Sequence, residues 1–150
     1  MASAQTTPAF EPAEVRARIL ADHRDIRRRL RAIADHLAAD RIAVAKTAFT
    51  ELAQQFSTHL ALENEILPPL LRDDFAWGEQ RARSLLEHHA DQLAELDRLR
   101  ATLGAADRDE AGKRLGQFVI ELDADMDAEE RGVLSPEVLG DEIVSVEFGG

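Results

Sequence analysis

The chain has 150 residues with no cysteine and no tyrosine, and its 29 acidic against 18 basic side chains leave a net charge of −11. That length fits one domain of ordinary size. The missing cysteine excludes disulfides, thiolate nucleophiles, Cys-ligated zinc and iron–sulfur clusters, and the acidic surface argues against nucleic acid and membrane as partners.

The first residues are small and polar, so residues 1–13 are expected to form a flexible segment. They lack the basic and apolar regions of a secretory signal, and no apolar run is long enough to span a bilayer, so a cytoplasmic location is expected. Pro12 suits a first helical turn. The first helix then carries Val15, Ile19, Ile26, Leu30, Ile33 and Leu37 on one face, and His23 fills the gap in that stripe. The second stripe runs through Ile42, Ala45, Phe49, Leu52, Phe56, His59, Glu63, Ile66 and Leu70 in steps of three and four. Pro68 and Pro69 are expected to end this helix at about Leu67, ahead of a linker of roughly ten residues that includes Trp77 and Gly78.

The third stripe is Ala82, Leu85, His89, Leu93, Leu96, Leu99 and Leu103, with Gly104 as its expected C-terminal cap. Asp107 and Glu110 resemble a capping box for the fourth helix. Its stripe is Ala111, Leu115, Phe118, Leu122, Asp125, Glu129 and Val133, with Gly112 and Gly116 weakening the helix while permitting close packing. Pro136 marks its end, and Ile143, Val144, Val146 and Phe148 suggest a short extended tail within 137–150. The expectation is an all-α fold, an antiparallel up-down-up-down four-helix bundle over 14–136.

The two halves match at an offset of 66 residues: His23 falls on His89, His59 on Asp125 and Glu63 on Glu129. Those six are the polar members of the four stripes. Carboxylates are rarely buried unless paired or ligated, and a lone one in an apolar core costs several kcal/mol. A pair of metal ions explains the set. His59 and Glu63 share a helix face at i and i+4, as do Asp125 and Glu129, and one histidine comes from each remaining helix. Such donors suit iron, zinc or manganese, and carboxylates in bundle cores bridge paired metals. A metal-free buried polar network is the alternative. His89 keeps Leu85 and Leu93 as its i−4 and i+4 neighbours and obeys the repeat, so it is preferred to His88, while His36 reads as a surface residue.

The segments Asp22-His23-Arg24-Asp25-Ile26, His59-Leu60-Ala61-Leu62-Glu63, Leu85-Leu86-Glu87-His88-His89 and Asp125-Met126-Asp127-Ala128-Glu129-Glu130 carry a resemblance in order and spacing. With Leu134-Ser135-Pro136 they resemble the hemerythrin-like HHE cation-binding family across about residues 14–136. The resemblance implies a non-haem di-iron centre in a four-helix bundle. It implies that His23 and His59 serve one metal, His89 and Asp125 the other, and that Glu63 and Glu129 bridge. It also implies a small ligand: oxygen, nitric oxide or peroxide, bound for sensing, storage or stress response.

Two positions depart from the family pattern. Asp125 stands where the family has histidine, and Leu93 where oxygen carriers have a second third-helix histidine. A carboxylate there adds negative charge and favours harder ions such as manganese. A metal-dependent, peroxide-consuming oxidoreductase and a structural or regulatory bundle with a protein partner or a homodimer are the competing readings. No acid–base residue stands out beyond the expected ligands.

Overall fold

The structure, a computed structural model, describes residues 11–74, 77–105 and 108–135. Four helices account for nearly all of them: α1 (Pro12–Ala38), α2 (Ile42–Asp74), α3 (Gly78–Gly104) and α4 (Arg108–Arg131). Each connection is three residues long, too short for anything but an antiparallel neighbour. α1 packs on α2 and α4, and α3 packs on the same two helices, which closes an up-down-up-down ring. The 137–150 tail and its apolar residues lie outside the described residues, as do residues 1–10 and Asp107 of the expected capping box.

Local chemistry sets the helix ends. Pro12 occupies the first turn of α1, where an N–H has no partner to lose. At the other end Asp40 takes the left-handed conformation, φ 62°. Asp40 N–H then bonds to the Leu37 carbonyl at 3.0 Å and Arg41 N–H to the His36 carbonyl at 2.8 Å. This is the Schellman arrangement, with aspartate in the place glycine usually fills. α3 does not end as expected. Gly104 is its last helical residue with an ordinary φ, and Ala105 caps it, giving its N–H to the carbonyl of Ala101.

Pro68 and Pro69 do not end α2, which continues to Asp74. The two residues remove backbone donors that would reach Asn64 and Glu65, but the turn beyond them is held from outside. Leu67 and Leu71 are buried there, at about 1.5–3 kcal/mol each. The start of α3 is also seated on that turn: a Cβ on Gly78 would lie 2.1 Å from the Leu71 carbonyl oxygen, so only glycine fits. Tertiary packing outweighs the local proline signal.

The core has two unequal parts. The larger runs from Ile26, Phe56, Leu60, Leu96 and Met126 toward the far ends of the helices at Leu37, Ala45, Leu103 and Ala111. The smaller joins Val15, Ile19, Leu67 and Leu134. Between the two lies a layer of buried polar side chains: His23, His59, Glu63 and His89.

Candidate metal centre

The layer is built one helical turn from each helix. His23 follows Ile19 and precedes Ile26 on the buried face of α1, and His89 lies between Ala82 and Leu96 on that of α3. On α2, His59 and Glu63 are one turn apart, below Phe56 and above Leu67. The apolar stripe of α4 departs from the sequence reading. Met126 is buried in the core, whereas Asp125 and Glu129 are only partly buried and flank it. At a position where steps of three and four are both open, the apolar side chain takes the interior and the carboxylate turns to the edge.

Glu63 is the centre of the layer and is fully buried. Its Oε2 lies 2.8 Å from His59 Nε2 and 3.4 Å from His23 Nε2, and its Oε1 lies 3.2 Å from His89 Nε2. Glu129 repeats the arrangement, with Oε1 3.3 Å from His23 Nε2 and Oε2 3.2 Å from His89 Nε2. Each carboxylate therefore spans the two halves of the bundle. Donor atoms of His23, His59 and Glu63 lie within 4.8 Å of one another, and so do those of Glu63, His89 and Glu129. The two groups share Glu63.

A second ring of contacts turns the imidazoles inward. Nδ1 of His59 lies 3.0 Å from Asp22 Oδ2, Nδ1 of His89 is 2.5 Å from Asn64 Oδ1, and Nδ1 of His23 is 2.7 Å from Glu130 Oε2. Arg27 in turn holds Glu130, its Nη1 donating at 3.0 Å. An acceptor at Nδ1 fixes the tautomer and leaves the Nε2 lone pair facing the centre, as a metal-ligating histidine requires. Asp22 and Glu130 stood in the quoted segments without a role, and Asn64 and Arg27 were not singled out from the sequence. The signal was present, because Asn64 and Glu130 are related by the same 66-residue offset as the ligands.

Asp125 sits apart from both groups of donors. Its Oδ2 is 2.8 Å from His88 Nε2 and accepts from Gln92 Nε2 at 3.0 Å. His88 is half exposed, and His36 accepts from Arg41 Nε at 3.3 Å away from the layer. Leu93 is partly buried against the larger core. Two grooves approach the layer from outside. One of about 440 Å³ is bounded by Asp22 and His59, and one of about 820 Å³ by Trp77, Leu85, His88, Asp125 and Glu129.

The electrostatics are those of a cation site. Burial alone would push the His23 imidazole down, but Glu129, Glu63 and Glu130 outweigh it and raise it to about 10. His89, beside Glu129 and Glu63, is raised against the same burial penalty to about 9, and His59 is raised by Glu63 and Asp22. For Glu63 burial opposes the charged form, yet His23, His59 and His89 hold it well below the usual carboxylate range. Even so, none of the close contacts to His23 Nε2 or to the two buried Glu63 oxygens has the geometry of a hydrogen bond. Buried atoms of this kind are rare unless something else satisfies them. A divalent cation between imidazole nitrogen and carboxylate oxygen does so, and the donor set fits one.

Fold and site together define a four-helix bundle with a buried His/carboxylate cluster able to hold metal cations. The chain matches the hemerythrin HHE cation-binding domain over residues 14–136, and it belongs to that family. Comparisons with curated proteins and with solved structures returned no match.

Proposed function

We propose that the protein holds a pair of non-haem iron ions and binds a small ligand there, such as oxygen, nitric oxide or peroxide, in a sensing, storage or stress-response role. His23 and His59 would hold one ion and His89 the other, Glu63 and Glu129 would bridge them, and Asp125, which faces His88 and Gln92 at the edge of the layer, would complete the second position by turning inward. The observation that carries the reading is Glu63: its two oxygens are buried, have no contact with the geometry of a hydrogen bond and face imidazoles from different halves of the bundle. Bound iron would supply redox activity and affinity for a small ligand. The protein's own part is to fix the imidazole tautomers through Asp22, Asn64 and Glu130 and to keep bulk water from the layer. The groove that ends at Glu129 offers a small ligand a way in. No helix among the described residues is long and apolar enough to cross a membrane, and a cytoplasmic location goes with this reading.

The test is metal content of protein purified without added metal or chelator, with absorption spectra in reduced, oxygenated and nitric-oxide-exposed states. Two irons per chain and a reversible gas-dependent spectrum are expected. Glu63→Ala should abolish binding of the pair, and two irons retained in that variant would end the bridging role. Turnover of peroxide with an external reductant would move the reading toward an oxidoreductase. No metal after anaerobic reconstitution would leave a structural polar network.

A further inference from the structure

The repeat that relates the two halves also relates their outer contacts, and at one contact the partners have changed places. Under the 66-residue offset His23 corresponds to His89 and Glu130 to Asn64, and each histidine presents Nδ1 to an acceptor. Asp22 corresponds to His88, and His59 to Asp125. In the first half a carboxylate on α1 faces an imidazole on α2, at 3.0 Å. In the second half an imidazole on α3 faces a carboxylate on α4, at 2.8 Å. The side-chain types and helix positions are the same, and their assignment is reversed.

We propose that this exchange makes the two ion positions unequal. The first is nitrogen-rich, and the second is an oxygen-rich position suited to a hard divalent cation of the manganese type, with His88 positioning the Asp125 carboxylate. The inference rests on the two-metal reading above and specifies which ion each position prefers. Glu63 and Glu129 face both positions, with Glu129 3.3 Å from His23 Nε2 and 3.2 Å from His89 Nε2, so the positions differ in their imidazoles: His23 and His59 at the first and His89 alone at the second. Asp125 lies one turn before Glu129, as His59 lies before Glu63, and turned inward it would offer oxygen where the first half has nitrogen. Imidazole suits zinc and iron, and carboxylate with water suits manganese. Exposure points the same way. His59 bounds the smaller groove but is itself only 3% exposed, while the Glu129 side chain is 15% exposed and shares a wall of the larger groove with His88 and Asp125. A hard cation that keeps part of its water needs such an opening.

The test offers metal-stripped full-length protein two equivalents each of Zn(II) and Mn(II), enough of either ion to fill both positions. Bound metal is then counted by elemental analysis, and bound Mn(II) is followed by electron paramagnetic resonance. One zinc and one manganese per chain are expected. The reciprocal exchange His88→Asp with Asp125→His should lower manganese affinity at least ~10-fold and let zinc fill both positions. His88→Ala should lower manganese affinity about 10-fold without changing the first zinc. His88→Gln, whose amide can donate to the same Asp125 carboxylate, should restore it. These side chains lie at the edge of the bundle, 48% and 29% exposed, and helical content by circular dichroism checks that the variants fold. Two ions bound with no difference in preference, or a reciprocal exchange that leaves manganese affinity unchanged, would overturn this inference while leaving the two-metal reading standing. Failure of the wild-type chain to bind two ions would overturn both.

Discussion

A single carboxylate organises the polar layer, and its dependence on protons follows from its neighbours. Without metal, His23 and His89 keep their protons to about 10 and about 9, against an ordinary value of 6.5. Their contribution to stability is fully present below 6.5 and is lost as pH rises through 9 to 10. Glu63 is shifted the other way, below its ordinary 4.5, so its contribution is present above 4.5 and disappears on acidification. The melting temperature of the metal-free chain should therefore fall between pH 6.5 and 9, and the metal-loaded chain, whose ligating imidazoles carry no exchangeable proton at Nε2, should lack that decline. Thermal melts with and without chelator check this, and a metal-free profile flat over that range would contradict it. Four layer residues were legible from periodicity alone, because His23, His59, Glu63 and His89 replace apolar residues on buried stripes. Asp22, Asn64 and Glu130 were not. Each lies next to a stripe position and reads as part of the polar face until a neighbouring helix brings a histidine to it.

The helices themselves were legible in number and order, and the misreadings came where packing overrides local preference. The end of α2 is the clearest case, since prolines at 68 and 69 signal a stop that buried Leu67 and Leu71 override. In α4 the expected close packing at Gly112 and Gly116 is absent. Both are exposed, and a Cβ at either would meet nothing within 4 Å. These two glycines carry only the entropic cost of glycine in a helix. Gly112→Ala and Gly116→Ala should each stabilise the chain by about 0.8–1 kcal/mol, read as a higher urea midpoint at unchanged slope. Gly78→Ala should do the opposite, by displacing the start of α3 from the Leu71 carbonyl. A loss of several degrees in melting temperature is expected there, and a neutral result would mean that the two helices part easily at that point.

Across the whole molecule the polar layer separates two apolar clusters of very different size. The bundle topology was legible because the expected connections, the longest a linker of roughly ten residues, leave little choice, but this division was not, since it depends on where the stripes meet in space. The smaller cluster draws on the first turns of α1, the proline-bearing end of α2 and Leu134, whose carbonyl accepts from Arg16 Nε at 2.6 Å. It has few side chains of its own to resist opening. A cation held by the layer would act as a rivet between this end and the rest. Amide hydrogen exchange should therefore be layered along the bundle axis. In metal-free protein the amides around Val15, Ile19 and Leu67 should exchange well before those around Phe49, Leu99 and Leu115. Loading the metal should slow the first set far more than the second, so that ion occupancy decides whether the molecule opens from one end or unfolds as a unit.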